Sequence, residues 1–159
     1  MGATTAELER LYRGRYRMFL DGMTRVVRDP EAAREVVQEA FSRALRSRRR
    51  FRGDANLEAW VWRIAVNEAL RMRRDLAPAW RDEAPDLAVE DARPDSAVRD
   101  AVSALPPRRR LVVFLRYFAD LSYGEIASIC QISEGTVAAT LAQSHAELSE
   151  HLRAKGVNT

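Results

Sequence analysis

The segment "WVWRIAVNEALRMRR", residues 60–74, concentrates groups that can hold an unpaired nucleic-acid strand. Trp60 and Trp62 sit among Arg63, Asn67, Arg71, Arg73 and Arg74, and Arg48, Arg49, Arg50 and Arg52 precede them. An aromatic face stacks on any base, a guanidinium pairs with phosphate, and an Asn amide offers a paired donor and acceptor to a base edge. Residues two apart on a helix point about 200° apart. One tryptophan is therefore expected inside and the other on the surface.

A second constellation has the opposite sign. Glu35, Gln38, Glu39 and Ser42 recur at i, i+3, i+4 and i+7, one stripe of a helix, with no basic partner expected nearby. Such a stripe suits either a solvated face or a protein partner. A third, "LSYGEIASICQISEGTVAATLAQSHAEL", reads as a helix-turn-helix, whose second helix normally enters a DNA major groove. Yet no Lys or Arg occurs from Tyr117 to His151, while Asp120, Glu125, Glu134, Glu147 and Glu150 do.

Charge is segregated along the chain. Residues 1–81 carry a net of +7, residues 82–103 a net of −5 and residues 104–159 a net of +1, giving the overall +3. A basic N-terminal half points to a polyanion partner. Sites for covalent chemistry are not evident. There is no Gly-rich phosphate loop and no nucleophile–base signature, and His145 and His151 lie six apart, off a common helical face. No catalytic residue, metal site or cofactor is expected. A single cysteine, Cys130, excludes an internal disulfide and fits a reducing compartment. With no apolar signal core and no run long enough to span a bilayer, a cytoplasmic protein without membrane insertion is expected.

The elements that must carry these groups are all helical. Thr4 and Glu7 are spaced as a capping box for a first helix with Leu8, Leu11, Tyr12, Tyr16, Phe19, Leu20, Met23, Val26 and Val27 on its apolar face. Asp29 and Pro30 open a second helix and Asn56 caps a third. From Asp75 to Asp95 three prolines and seven acids interrupt the periodicity, and a mostly extended linker is expected, with Trp80 as the residue that must find shelter. Helical pattern resumes at "DSAVRDAVSAL". Pro106 and Pro107 start another helix, Ser122 and Glu125 form a second capping box, and Ser133 caps the last helix. The expected architecture is all-α: two helical modules joined by an acidic flexible linker, the second containing a helix-turn-helix.

These stretches resemble a known family. "AREVVQEAFSRAL", "RFRGDANLEAWVWRIAVNEAL" and "ALPPRRRLVVFLRYFADLSYGEIASICQISEGTV", in that order, look like an extracytoplasmic-function (group 4) bacterial sigma factor. The resemblance implies sigma domain 2 at residues 1–74, an acidic linker at 75–99 in the RNA-exit path, and sigma domain 4 at 100–159. It implies that Glu35, Gln38 and Glu39 bind core RNA polymerase. Arg52, Asp54, Asn56, Trp60, Arg63, Asn67 and Arg71 would open and hold the −10 promoter element as a single strand. Domain 4 would sit on the polymerase flap and read the −35 element, and an anti-sigma factor or other regulatory protein would be a further partner.

The last helix departs from the pattern. Where the family usually continues "GTVKSRLHRARARL", this chain has Ala138, Ala139, Thr140, Ala142, Gln143 and His145 in place of Lys, Ser, Arg, His, Arg and Arg. Any reading of DNA there falls to Thr136, Thr140, Gln143, Ser144 and His145, with Arg108, Arg109, Arg110 and Arg116 at hand for flanking phosphates. The alternative is a sigma-like regulator that binds polymerase while its helix-turn-helix docks a protein. Gln131 stands where the family commonly has Gly in the turn, which costs on the order of 1 kcal/mol if the backbone there is left-handed.

Overall fold

The computed structural model describes residues 2–82 and 97–156. Among the described residues eight α-helices follow one another: α1 Thr5–Val27, α2 Pro30–Arg46, α3 Leu57–Met72, α4 Leu76–Asp82, α5 Ala97–Ser103, α6 Pro107–Tyr117, α7 Tyr123–Cys130 and α8 Glu134–Ala154. A short 3₁₀ turn, Arg48–Arg50, follows α2, and no strand occurs among the described residues.

The start signals act as spaced. Thr4 and Glu7 close a reciprocal capping box on α1. The Asp29 side chain accepts from the Glu31 N–H with Pro30 at the first helical position of α2, and Ser122 and Glu125 repeat the box on α7. Each satisfies amides that the first turn leaves without partners. The linker expectation is corrected in part: residues 76–82 form α4 rather than extended chain, and Leu76 and Trp80 are buried. Trp80 finds its shelter against α6, where the Arg108 guanidinium donates to its carbonyl over 2.9 Å. The rest of the expected linker, up to Asp95, lies outside the described residues.

Helices α1, α2 and α3 form one bundle around Phe19, Met23, Val36, Val37, Trp62 and Val66; α5–α8 form another around Leu111, Leu115, Ile126, Ile129, Val137 and Leu141. The two bundles do not stay apart. Helix α6 packs on α1 and α4, and α7 on α3, so one apolar core runs through both. Trp62 is central to it. Its indole stacks on Phe19 at 4.1 Å between ring centroids and meets Phe114 of α6 edge-on at 6.1 Å. Gly22 makes room for both rings, since a Cβ there would stand 2.6 Å from Trp62 and 2.9 Å from Phe114.

Polar groups reinforce the seam. Arg110 of α6 is only 2% exposed, and its Nε donates to the Arg25 carbonyl in α1 at 2.9 Å, while Nη1 donates to Leu105 at 2.6 Å. The Arg28 guanidinium reaches back to the Ser103 carbonyl. Carbonyls at the ends of α1 and α5 thereby gain the donors that helix ends lack.

Candidate nucleic-acid interface

Helix α3 divides its side chains cleanly. Val61, Trp62, Ala65, Val66 and Ala69 are buried, whereas Arg63, Asn67 and Arg71, one turn apart, are exposed along the opposite face. Trp60 lies half-buried beside that face with its ring 5.4 Å from Phe51. Trp62, fully buried, is a core residue. The loop before the helix adds Arg52, Asp54 and Asn56, all exposed, and turns at Gly53, whose φ of 78° lies in the region open to glycine. Asn56 also accepts the Glu58 N–H at 2.9 Å, so its carboxamide is partly engaged as the cap of α3. The structure thus brings all seven −10 candidates onto the loop and one end and face of a single helix.

Between α2 and α3 runs an open groove of about 540 Å³ lined by Arg43, Arg46, Ser47, Arg50, Ile64, Asn67, Glu68 and Arg71. Four arginines beside Asn67 make it strongly basic. Glu68 forms its floor. That carboxylate is 2% exposed and is held by Arg43 Nε at 3.1 Å and Arg71 Nη2 at 2.5 Å. Hydrogen bonding to Glu68 holds Arg71 above the usual guanidinium range. A buried carboxylate without such partners would be strongly destabilising. Sequence reading passed over Glu68, although its place in the apolar phase of α3, three after Ala65 and seven after Val61, marks it as inward-facing.

On α2, Glu35 and Gln38 are exposed and Glu39 half-buried, on one stripe as spaced. The expectation that no basic partner stands nearby is corrected. Glu39 accepts from Arg43 Nε at 3.0 Å and from Arg46 Nη2 at 2.9 Å, because arginines four and seven residues on share its face. These hydrogen bonds, from Arg43 first and then Arg46, lower its carboxyl below the usual range.

The helix-turn-helix forms as spaced, with Gln131 in the left-handed region at φ 56°, ψ 47°. Two of the −35 candidates are corrected. Thr140 is 1% exposed and Ser144 fully buried, both on the face of α8 that carries Val137 and Leu141 into the core. Ser144 Oγ donates to the Thr140 carbonyl at 2.7 Å, which satisfies the hydroxyl internally. Thr136 is half-buried and engaged with Ser133 in the cap. Gln143 and His145 remain exposed, beside Ala138, Ala139, Ala142 and Ala146, and His145 Nε2 lies 2.5 Å from the Tyr117 hydroxyl. The arginines expected to touch flanking phosphates are committed inward. Arg108 and Arg110 are buried, Arg109 pairs with Glu147, and Arg116 donates to the Leu121 carbonyl at 3.1 Å.

Comparison with known proteins bears on this arrangement. Residues 11–78 match the Sigma-70 region 2 family and residues 95–152 the Sigma-70, region 4 family. The RNA polymerase sigma-H factor of Pseudomonas aeruginosa is 31% identical, the match covering 82% of this chain and 83% of the relative. The chain belongs to the extracytoplasmic-function sigma factors of bacterial RNA polymerase. The RNA polymerase sigma-E factor of Streptomyces antibioticus is 30% identical over 96% of this sigma factor and 88% of the relative. The fold is that of sigma factor RpoE solved in complex with the anti-sigma factor NepR from Bartonella quintana, with a TM-score of 0.72, 20% identity and coverage of 94% and 98% of the two chains. CnrH, solved in complex with the cytosolic domain of CnrY, gives a TM-score of 0.70 at 20% identity, with 96% and 91% covered. Like its family, this sigma factor is a transcription initiation factor that directs RNA polymerase to promoters. No helix among its described residues is long and apolar enough to cross a membrane.

Proposed function

We propose that this sigma factor acts in the cytoplasm, without covalent chemistry of its own, through two modules with separate tasks. Residues 1–74 bind core polymerase and open the −10 element. Residues 75–99 tether them to residues 100–159, which take the upstream position. The observation that carries this reading is the exposed set Arg52, Asp54, Asn56, Arg63, Asn67 and Arg71, with the half-buried Trp60 on the same helix, beside a basic groove. Melting unstacks several base pairs, and trapping the released strand on the Trp60 ring and the arginines offsets that cost. Asn67, flanked by Arg63 and Arg71, is placed to read a base edge while the arginines hold backbone. Glu35, Gln38 and Glu39, on the adjoining helix, supply an acidic-polar contact for a basic surface of the polymerase.

The second module reads DNA weakly. The exposed face of α8 offers Gln143 and His145 among alanines, and no cation from that helix's first five turns. Docking on polymerase, or on a regulatory protein such as an anti-sigma factor, then supplies most of what holds this module in place, and tethering makes its modest DNA contact effective. Reading two separated elements requires the bundles to part.

Permanganate footprinting of promoter thymines tests the reading. Holoenzyme carrying Asn67→Ala or Arg63→Ala is expected to form closed complexes normally and to leave the −10 thymines protected in duplex. Normal opening by both variants would refute it.

A further inference from the structure

The carboxylates and guanidiniums of α2 and α3 form one chain of contacts. Arg46 and Arg43 both hold Glu39; Arg43 also holds Glu68, and Glu68 holds Arg71. One end of this chain is the polymerase-facing stripe, the other the exposed face of α3. Arg43 is the hinge, its Nε lying 3.0 Å from Glu39 and 3.1 Å from Glu68. The two acids differ in freedom. Glu68 is buried and fixed in α3, so it anchors Arg43 and Arg71 on opposite walls of the groove. Glu39 stands at the surface and can leave.

Resting on the assignment of Glu39 to polymerase binding, we infer that Glu39 is an internal counter-ion that takes the place of a backbone phosphodiester on Arg43 and Arg46, two of the arginines lining the α2–α3 groove. While Glu39 accepts from Arg43 and Arg46, those guanidiniums are neutralised as a backbone phosphate would neutralise them, since carboxylate and phosphate offer the same paired oxygens to an arginine fork. When Glu39 turns to a basic partner surface, Arg43 and Arg46 are released from it and face the groove together with Arg50, Arg71 and Asn67. A single-stranded segment then sets one backbone phosphate between them. Strand binding and partner binding therefore favour each other, and the coupling is reciprocal because both draw on one carboxylate. Glu68 is a positioning residue: it touches no ligand but fixes the two arginines that do.

The test uses the full chain and a fluorescein-labelled single-stranded dT 12-mer, with anisotropy followed across a salt series. Glu39→Gln is expected to tighten binding about fivefold and to steepen the slope of log K against log salt by roughly 0.7, the value for one phosphate on a single strand. Glu35→Gln removes the same formal charge one turn away and is expected to change affinity less than twofold. With a methylphosphonate dT 12-mer the gain from Glu39→Gln should vanish. Glu68→Gln combined with Glu39→Gln should abolish the gain despite adding further net positive charge. Equal effects of Glu39→Gln and Glu35→Gln, or further tightening in the double variant, would show that only net charge matters and would overturn the inference. If the double variant fails to fold by circular dichroism, the Glu39→Gln and Glu35→Gln comparison decides alone. Core-polymerase affinity of Glu39→Gln, measured separately, tests the underlying assignment: unchanged affinity refutes that assignment without altering the strand result.

Discussion

Phe114→Ala should open the molecule while leaving both bundles folded. The ring sits on α6 and meets Trp62 at 6.1 Å, stacks on Phe118 at 5.4 Å, and lies under the Arg25 guanidinium at 4.9 Å, with Gly22 backing it. Three of those four neighbours belong to the first bundle. Truncating a buried Phe to Ala costs roughly 3–5 kcal/mol. Assigning about half of that to contacts across the seam gives about 2 kcal/mol, a factor of roughly 30 in the balance between closed and parted bundles. Small-angle scattering checks this, because a closed globule of 159 residues has a radius of gyration near 15 Å by size scaling, and the variant should be measurably larger. Acrylamide quenching should rise in parallel as Trp62 becomes accessible. An unchanged radius and unchanged quenching, with helix content intact by circular dichroism, would refute the reasoning, as would a wild-type chain already expanded in solution.

The remaining predictions concern the second bundle. Gln131→Gly should raise stability by about 1 kcal/mol in thermal or denaturant unfolding, because the left-handed backbone at Gln131 penalises a side chain that Gly lacks. Placing arginines at the exposed Ala138, Ala142 and Gln143 should tighten binding of duplex promoter DNA and steepen its salt slope by roughly 0.9 per regained phosphate; Thr140→Arg should instead destabilise the protein, by forcing a charge into the core. Burial pushes the Cys130 thiol up to about 12. It should therefore resist a thiol-reactive disulfide reagent at pH 8 in the native state and react promptly once urea unfolds the chain.

Much of the fold was legible because its signals are local. Caps at Thr4, Asp29, Asn56, Ser122 and Ser133, and apolar spacing between them, need no knowledge of distant chain. The outward face of α3 was legible for the same reason. What failed depended on packing partners. Arg108 and Arg110 read as surface cations, yet the carbonyls of Trp80, Arg25 and Leu105 converge on them only after α4, α1 and α6 meet. Phe114 looks like ordinary core for its own bundle, and nothing in its spacing tells that half its neighbours lie some ninety residues earlier. Thr140 and Ser144 were misplaced because small hydroxyl residues pass as surface when their helix phase is ignored. Glu68 was missed because an acid reads as surface when its helix phase is ignored, and its partner Arg43 is brought to it only by the packing of α2 on α3.

The central claim is that this chain selects promoters for polymerase and melts them through its first module. Run-off transcription with bacterial core polymerase and a promoter library measures it most directly. The account predicts defined start sites that share a −10 element, with opening lost in Asn67→Ala. A chain that binds core polymerase yet yields no start-site-specific transcript from any promoter would contradict it.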